Sequence, residues 1–321
     1  MRTRSGIGGG MLALSVGLAC NALLGPFALD VIRYHFGASM TNQGIGLDAV
    51  TLLLVVPTAA LAGILTLRGR QAGPVLGLGP AAFAVYMIPQ YLIGPAYDRL
   101  PGNNERFLPF HLALFVLGVA VFVAAWAVID WRLPPESRLA DRRRMWVMAG
   151  VAVFIVLRWS PVVVALASGR DGGAAYRDNP TAQVLIALLD LGLVVPASLA
   201  VAVGLRRGSP WARTGAYAVI GWFTLVPVSV AAMAITMQVR AIPDSSLASS
   251  VGLSVVALVF LVAAAALYVP LLAEANEPEA RAENTSPFTA PPTESMATAA
   301  EVSRYVPPSG VVAPGQAAVR R

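Results

Sequence analysis

The chain has 321 residues, of which 57% are hydrophobic and only 12% are charged, and its mean hydropathy is +0.68. Soluble domains carry about 25% charged residues, so this composition excludes an ordinary water-soluble protein and indicates an integral membrane protein. The net charge is +6, but the arginines are spread through short connections between apolar segments. That distribution is an orientation signal, so we expect the lipid bilayer as a partner and no nucleic acid.

Eight apolar segments reach the length of about 20 residues that a helix needs to cross a bilayer. In chain order they cover residues 10–31, 49–67, 74–96, 107–129, 145–168, 181–205, 214–237 and 250–273. The predicted fold is therefore all-α, a polytopic transmembrane bundle of about eight helices within residues 1–273. The longest predicted connections are residues 32–48 and 169–180.

Arginine counts predict the orientation of these helices. With the N-terminus in the cytoplasm, the inner segments hold twelve arginines and the outer loops six, and the "RLADRRR" segment before the fifth helix is the strongest anchor. Cytoplasmic loops carry the excess of basic residues, so we predict a multi-pass plasma-membrane protein with both termini in the cytoplasm. An alternative is that "GLAC", ending at Cys20, marks a cleaved lipoprotein signal. Gly17 stands where such a signal has a large aliphatic residue, so we favour a first transmembrane helix.

Residues 274–321 differ from the rest of the chain because they are rich in Pro, Ala, Ser, Thr and Glu and have no helical or strand period. This composition predicts a disordered cytoplasmic tail. The tail is either inert or a docking segment for a cytoplasmic protein partner.

Two segments of the chain look alike. Residues 52–74 read "LLLVVPTAALAGILTLRGRQAGP" and residues 191–211 read "LGLVVPASLAVAVGLRRGSPW". A repeat of four helices would keep the same orientation, giving a parallel 4+4 duplication about an axis along the membrane normal. The alternative is coincidence, because proline is frequent in membrane helices. The "DLGLVVP…LRRGSPW" segment also resembles a signature of uncharacterised bacterial multi-spanning membrane proteins. That resemblance covers about a quarter of the chain and implies about eight helices but no activity.

A charge stands in the middle of the apolar segment "VFIVLRWSPVVVAL": Arg158. A charged side chain at the centre of a membrane helix costs about 2.5–3.5 kcal/mol, so it needs a partner. Asp190 lies near the centre of the next predicted helix, and at 1.5 Å per residue both residues are about 15 Å from the outer helix ends. Antiparallel neighbours place them together, so we predict a buried Arg158–Asp190 ion pair, bidentate if the geometry allows.

Four other polar side chains fall in the outer halves of the predicted helices: Asn21, Gln90, His111 and Gln183. Polar residues avoid lipid and line bundle interiors, which predicts a pocket that opens outward. The alternative is that these side chains, and the ion pair, only hold the helices together.

No catalytic or cofactor-binding motif is present: HExxH, GxSxG and a P-loop are all missing, and one cysteine and two histidines are too few for a convincing metal site. We therefore predict no enzyme activity, no cofactor and no metal. The leading interpretation is a non-enzymatic membrane scaffold or accessory subunit held by the Arg158–Asp190 pair. The alternative is a transporter or receptor for a small polar or anionic solute. A membrane enzyme that uses the outer-loop acids Asp98 and Glu105 is a third hypothesis.

Overall fold

A computed structural model of the chain describes residues 2–129, 137–242 and 245–274, and within these residues every regular element is helical. Eight of the helical segments are long and apolar enough to cross a membrane. The predicted all-α polytopic bundle is therefore confirmed. The tail beyond residue 274, with its proposed docking role, lies outside the described residues.

The eight spans are numbered in chain order. They are α1 (Arg2–Leu24), α2 (Ala38–Leu67), α3 (Ala72–Ile93), α4 (Leu108–Val128), α5 (Arg138–Ala167), α6 (Pro180–Arg206), α7 (Pro210–Val239) and α8 (Leu247–Glu274). A single 3₁₀ turn, Asn104–Phe107, leads into α4, and a short helix, Ala174–Asp178, precedes α6. Two spans contain a π-helical turn, Thr51–Val55 in α2 and Asp190–Val194 in α6.

Four predicted helix boundaries differ from the structure by more than four residues: both ends of the first helix and the starts of the second and fifth helices. The first helix was placed at residues 10–31 but ends at Leu24, because Pro26 lacks an N–H and disfavours helical backbone at Gly25. The second was placed at 49–67 but begins at Ala38, inside the predicted 32–48 connection. Its first turns carry polar residues such as Gln43, which lines an internal cavity rather than facing lipid.

The spans differ in how much protein surrounds them. In α3, 78% of the apolar window is buried inside the bundle, against 17% in α8, so α3 is central and α8 is peripheral. Large apolar side chains cover the outer surface, for example Leu53 and Val239. An apolar outer surface of this extent suits contact with lipid tails.

Successive helices pack against each other in the same pairwise order in both halves of the chain. The pairs α1–α2, α2–α3 and α3–α4 pack together, and so do α5–α6, α6–α7 and α7–α8. Across the halves, α2 packs on α7 and α3 on α6, while α3 and α7 cross at Gly79 and Gly221. A Cβ at Gly79 would lie 3.1 Å from the Gly221 carbonyl carbon, so this crossing brings the two backbones close together.

The two π-helical turns occupy the same place in each half. Thr51 is six residues before Pro57, and Asp190 is six residues before Pro196. A proline removes one backbone donor, and a π-turn is one way in which a helix adjusts to that loss. This shared position and the matching helix pairs agree with a 4+4 duplication, which stays a prediction.

One pair of helices breaks the correspondence. Helices α1 and α4 pack against each other. In the described residues the corresponding pair, α5 and α8, has no comparable interface. The second half is therefore open at a place where the first half is closed.

The two ends of the bundle differ in composition. Arg4, Arg68, Arg142 and Arg206 lie at helix ends on one side, called here the arginine side. There Asp141 of α5 accepts two hydrogen bonds from Arg213 of α7, from Nε at 3.2 Å and from Nη2 at 2.8 Å. The connections 25–37, 94–103 and 168–179 lie on the opposite side, called the loop side. That the arginine side faces the cytoplasm stays a prediction.

Candidate functional site

A cavity of about 170 Å³ lies in the loop-side half of the bundle. Six spans line it: α2, α3, α5, α6, α7 and α8. An engineered cavity of about 150 Å³ binds benzene, so this space accommodates part of a small organic molecule. We call it the Asp190 cavity, after the carboxylate in its wall.

Asp190 is held by two neutral donors. The side chain is buried at the first residue of the π-helical turn in α6. Its Oδ1 accepts a hydrogen bond from the Tyr86 hydroxyl at 2.7 Å, and its Oδ2 accepts one from Trp159 Nε1 at 2.7 Å. Tyr86 comes from α3 and Trp159 from α5, so this carboxylate joins three helices.

Arg158 lies beside this carboxylate but contacts it loosely. Its Nη1 is 3.6 Å from Asp190 Oδ2, which is longer than a hydrogen bond. The predicted bidentate geometry does not occur, and the hydrogen bonds to the two carboxylate oxygens come from Tyr86 and Trp159 instead. The guanidinium carbon lies 4.7 Å from the centre of the Trp159 ring. The Arg158 side chain is 42% exposed, lines the cavity and donates no hydrogen bond to the described residues.

The four predicted pocket residues divide into two groups. Gln90 and Gln183 line the Asp190 cavity with Arg158 and Asp190. The Gln90 amide donates to the carbonyl of Tyr86 at 3.1 Å. Asn21 and His111 do not line this cavity.

Asn21 and His111 belong to a second polar cluster in the first half, called the Tyr34 cluster (Asn21, Tyr34, Tyr91 and His111). The Tyr34 hydroxyl lies 3.4 Å from Asn21 Oδ1 and 3.3 Å from His111 Nε2. His111 Nδ1 lies 3.1 Å from the Phe107 carbonyl and donates to it. The Tyr34 ring stacks on Tyr91 at 4.8 Å. Tyr34 therefore fills the interior of the first half with its own ring.

Two loop-side connections hold Tyr34 in place. Asn103 accepts from the Arg33 backbone N–H at 2.8 Å and donates to the Val31 carbonyl at 3.0 Å. The two ring nitrogens of His35 face the Leu100 carbonyl and the Glu105 carboxylate, the latter at 2.9 Å. Connection 25–37 is thereby tied to the segment that leads into α4.

The environment of His35 favours its charged form. Burial lowers the pKa of His35, but the hydrogen bonds to Leu100 and Glu105 outweigh it, so the pKa is raised above the ordinary value. Burial, followed by the nearby Asp48 carboxylate, raises the pKa of Tyr34, so its hydroxyl stays neutral. A protonated His35 donates from both nitrogens and closes this tie between the connections.

The two outer-loop acids proposed for catalysis lie apart from the cavity. The Glu105 carboxylate is hydrogen-bonded to His35 Nε2, and Asp98 is exposed. Neither lines the Asp190 cavity. Any chemistry in that cavity therefore has to use other groups.

Comparisons with known proteins supply no identity for this site. No protein-family model matches the chain, and no curated protein or solved structure matches it. The resemblance of the "DLGLVVP…LRRGSPW" segment to bacterial membrane proteins stays a prediction.

Sequence reasoning missed several residues of both clusters. Trp159 stands next to Arg158, yet an indole beside a guanidinium is not a recognised motif. Tyr34 and Asp48 fell in the predicted 32–48 connection, although Asp48 is only 2% exposed inside α2. An acid and several aromatic residues within one long predicted connection would have indicated that Tyr34 and Asp48 lie inside the protein.

Proposed function

We propose that the Asp190 cavity binds an anionic amphiphile, a molecule with a carboxylate or phosphate group on an apolar body. One observation carries this proposal. The Arg158 guanidinium lines a cavity at membrane depth and has no hydrogen-bond acceptor among the described residues. In an apolar setting such donors need an acceptor, and carboxylates and phosphates match the guanidinium fork.

The neighbours of Arg158 support this role. Tyr86 and Trp159 satisfy both oxygens of Asp190, so the guanidinium is not needed to complete that carboxylate. Asp190 still balances the positive charge when the cavity holds no anion. The Trp159 ring below the guanidinium restrains its position through a cation–π contact. Arg158 is thus held near the cavity with its donors available.

The walls of the cavity favour an apolar body on the ligand. Phe154 and Ile155 come from α5, Phe223 from α7, and Leu253 and Val256 from α8. Residues of α5 and α8 thus line the same cavity, although these two helices have no comparable interface in the described part of the chain. Small-molecule sites are mostly apolar with a few placed polar groups, and Gln90 and Gln183 supply further polar groups here.

The membrane scaffold predicted from the sequence is the competing interpretation. It requires the Arg158–Asp190 contact to hold the bundle together. The 3.6 Å separation, which is longer than a hydrogen bond, favours ligand binding over that role. A receptor and a carrier would both use such a site.

Binding of amphiphiles to the purified full chain in an uncharged detergent tests the proposal. The probes are decanoate and decyl phosphate, with decanol and decyltrimethylammonium as neutral and cationic controls. We expect only the anionic probes to raise the unfolding temperature of the wild type. Arg158→Met should weaken their binding at least about tenfold, because a hydrogen bond to a charged group contributes about 1.5 kcal/mol or more.

A matched control is Arg213→Met, which breaks an arginine–aspartate contact on the arginine side. This variant should lose stability but keep the wild-type affinity for decyl phosphate. Equal stabilisation by decanol, or unchanged affinity in Arg158→Met, would overturn the proposal.

A further inference from the structure

Asp48 is a buried carboxylate in α2 that has no hydrogen bond or ion pair in the described part of the chain. Its Oδ2 lies 3.0 Å from the position a Cβ would take at Gly25, and the Asn21 carbonyl lies 3.2 Å from the same point. The carboxylate therefore stands at the C-terminal end of α1, where the helix dipole is negative. An ionised carboxylate is strongly disfavoured in such a place.

Asp190, the acid beside the π-helical turn of the other half, shows what a stabilised carboxylate needs. It receives two hydrogen bonds and lies near a guanidinium. Asp48 has none of these contacts, although it is more deeply buried, 2% exposed against 7% for Asp190. Something other than the described side chains has to neutralise Asp48.

The groups around Asp48 leave a proton as the simplest neutralising species. Tyr34, from the connection, and Tyr91, from α3, interact electrostatically with it, and His111 of α4 lies beyond Tyr34. The Nε2 atom of His111 is turned to the Tyr34 hydroxyl, 3.3 Å away, and His111 forms no ion pair with Asp48 in the described residues. Helix α1 contributes uncharged Asn21, and α7 contacts α2 at Ala232 and Met233, which do not titrate. A proton also requires no extra volume in this packed interior.

We propose that Asp48 is a proton-binding site, occupied at neutral pH and linked to the Asp190 cavity through Tyr91. Tyr91 stacks on Tyr34 and also lines the cavity, as does Leu47, the residue before Asp48. Loss of the proton would place a charge behind this stack and change the packing of the cavity wall. The proton site does not depend on the proposed function. The link between Asp48 and the cavity does rest on the proposed function.

Infrared spectroscopy of the ligand-free full chain tests the proton site. We expect the wild type at neutral pH to show a protonated-carboxyl band that disappears in Asp48→Asn. Asp190→Asn is the matched control and should keep the band, because the Asp190 carboxylate already receives two hydrogen bonds and lies beside the Arg158 guanidinium. Asp48→Ser provides a second variant if the first does not fold.

Two outcomes would overturn the site. One is a spectrum in which neither Asp48 variant loses a protonated-carboxyl band. The other is a carboxylate band, absent from Asp48→Asn, that shifts when sodium replaces potassium, which would identify a monovalent cation instead of a proton.

Decyl phosphate binding at increasing pH tests the link. Because linkage is reciprocal, deprotonation of Asp48 should change the affinity of the wild type but not that of Asp48→Asn. The probe's own titration contributes equally to both proteins. Identical pH profiles for the two proteins would overturn the link, and absence of any binding would instead count against the proposed function.

Discussion

The two halves of the bundle share a helical frame but differ in what fills it. In the first half, α1 and α4 pack together and the Tyr34 ring occupies the interior between Tyr91 and His111. In the second half, the described residues of α5 and α8 form no comparable interface, and Arg158 borders a cavity.

The loop-side connections account for part of this difference. Connection 25–37 turns inward, is tied by His35 and Asn103, and inserts Tyr34. The corresponding connection, 168–179, carries an ion pair between Arg177 and Asp171 on the exposed surface, and its tyrosine, Tyr176, joins no interior cluster. The inward-turning connection therefore accounts for part of the filling of the first half, and the α1–α4 interface accounts for another part.

The largest effect should come from emptying the first half. Tyr34→Ala removes a buried aromatic ring and should lower the free energy of unfolding by about 3–5 kcal/mol, as core aromatic truncations do. Chemical unfolding in detergent measures this change. Tyr176→Ala, in the corresponding connection, is the control and should cost less than about 1 kcal/mol. Similar losses in both variants would show that Tyr34 does not distinguish the halves.

Removing the carboxylate of the second half should have the next largest effect. Asp190→Leu leaves the Tyr86 hydroxyl and the Trp159 indole N–H buried without an acceptor. Each unsatisfied donor costs about 1–3 kcal/mol, so we expect a loss of about 3 kcal/mol in the free energy of unfolding.

Arg158→Met should cost less than about 1 kcal/mol, because its contact with Asp190 is long and partly exposed. The double variant with Asp190→Leu should then be as unstable as Asp190→Leu alone. Thermal unfolding of the wild type, both single variants and the double variant measures this. Recovery of stability in the double variant would support the scaffold interpretation, in which each charge is costly without the other.

The smallest effect should be a pH dependence of the tie that holds Tyr34. The pKa of His35 is raised in the folded protein, so its contribution to stability is complete below the unfolded pKa of about 6.5. That contribution is lost as the pH rises through the folded pKa. Unfolding temperatures recorded from weakly acidic to alkaline pH should show this loss in the wild type. His35→Gln should show a smaller decline over the same range, and an equal decline would place the effect elsewhere.

Which polar residues act together could be predicted only in part. Arg158 and Asp190 were paired from their depths in two successive helices, and the structure places them 3.6 Å apart. Gln90 and Gln183 share their cavity, but Asn21 and His111 lie in the Tyr34 cluster. Depth along a helix follows from residue counting, whereas the faces that meet depend on the rotation and packing of each helix.

The amino-acid sequence by itself determined that the chain forms eight apolar spans, because membrane insertion depends on the length and composition of each local segment. The tertiary structure alone decided that Tyr34 fills one half, that Arg158 keeps its donors available, and that Asp48 is buried. These outcomes depend on contacts between residues far apart in the chain. Hydropathy also counts a polar residue in the same way whether it meets lipid, water or a neighbouring helix, and for that reason it placed the start of α2 in a connection.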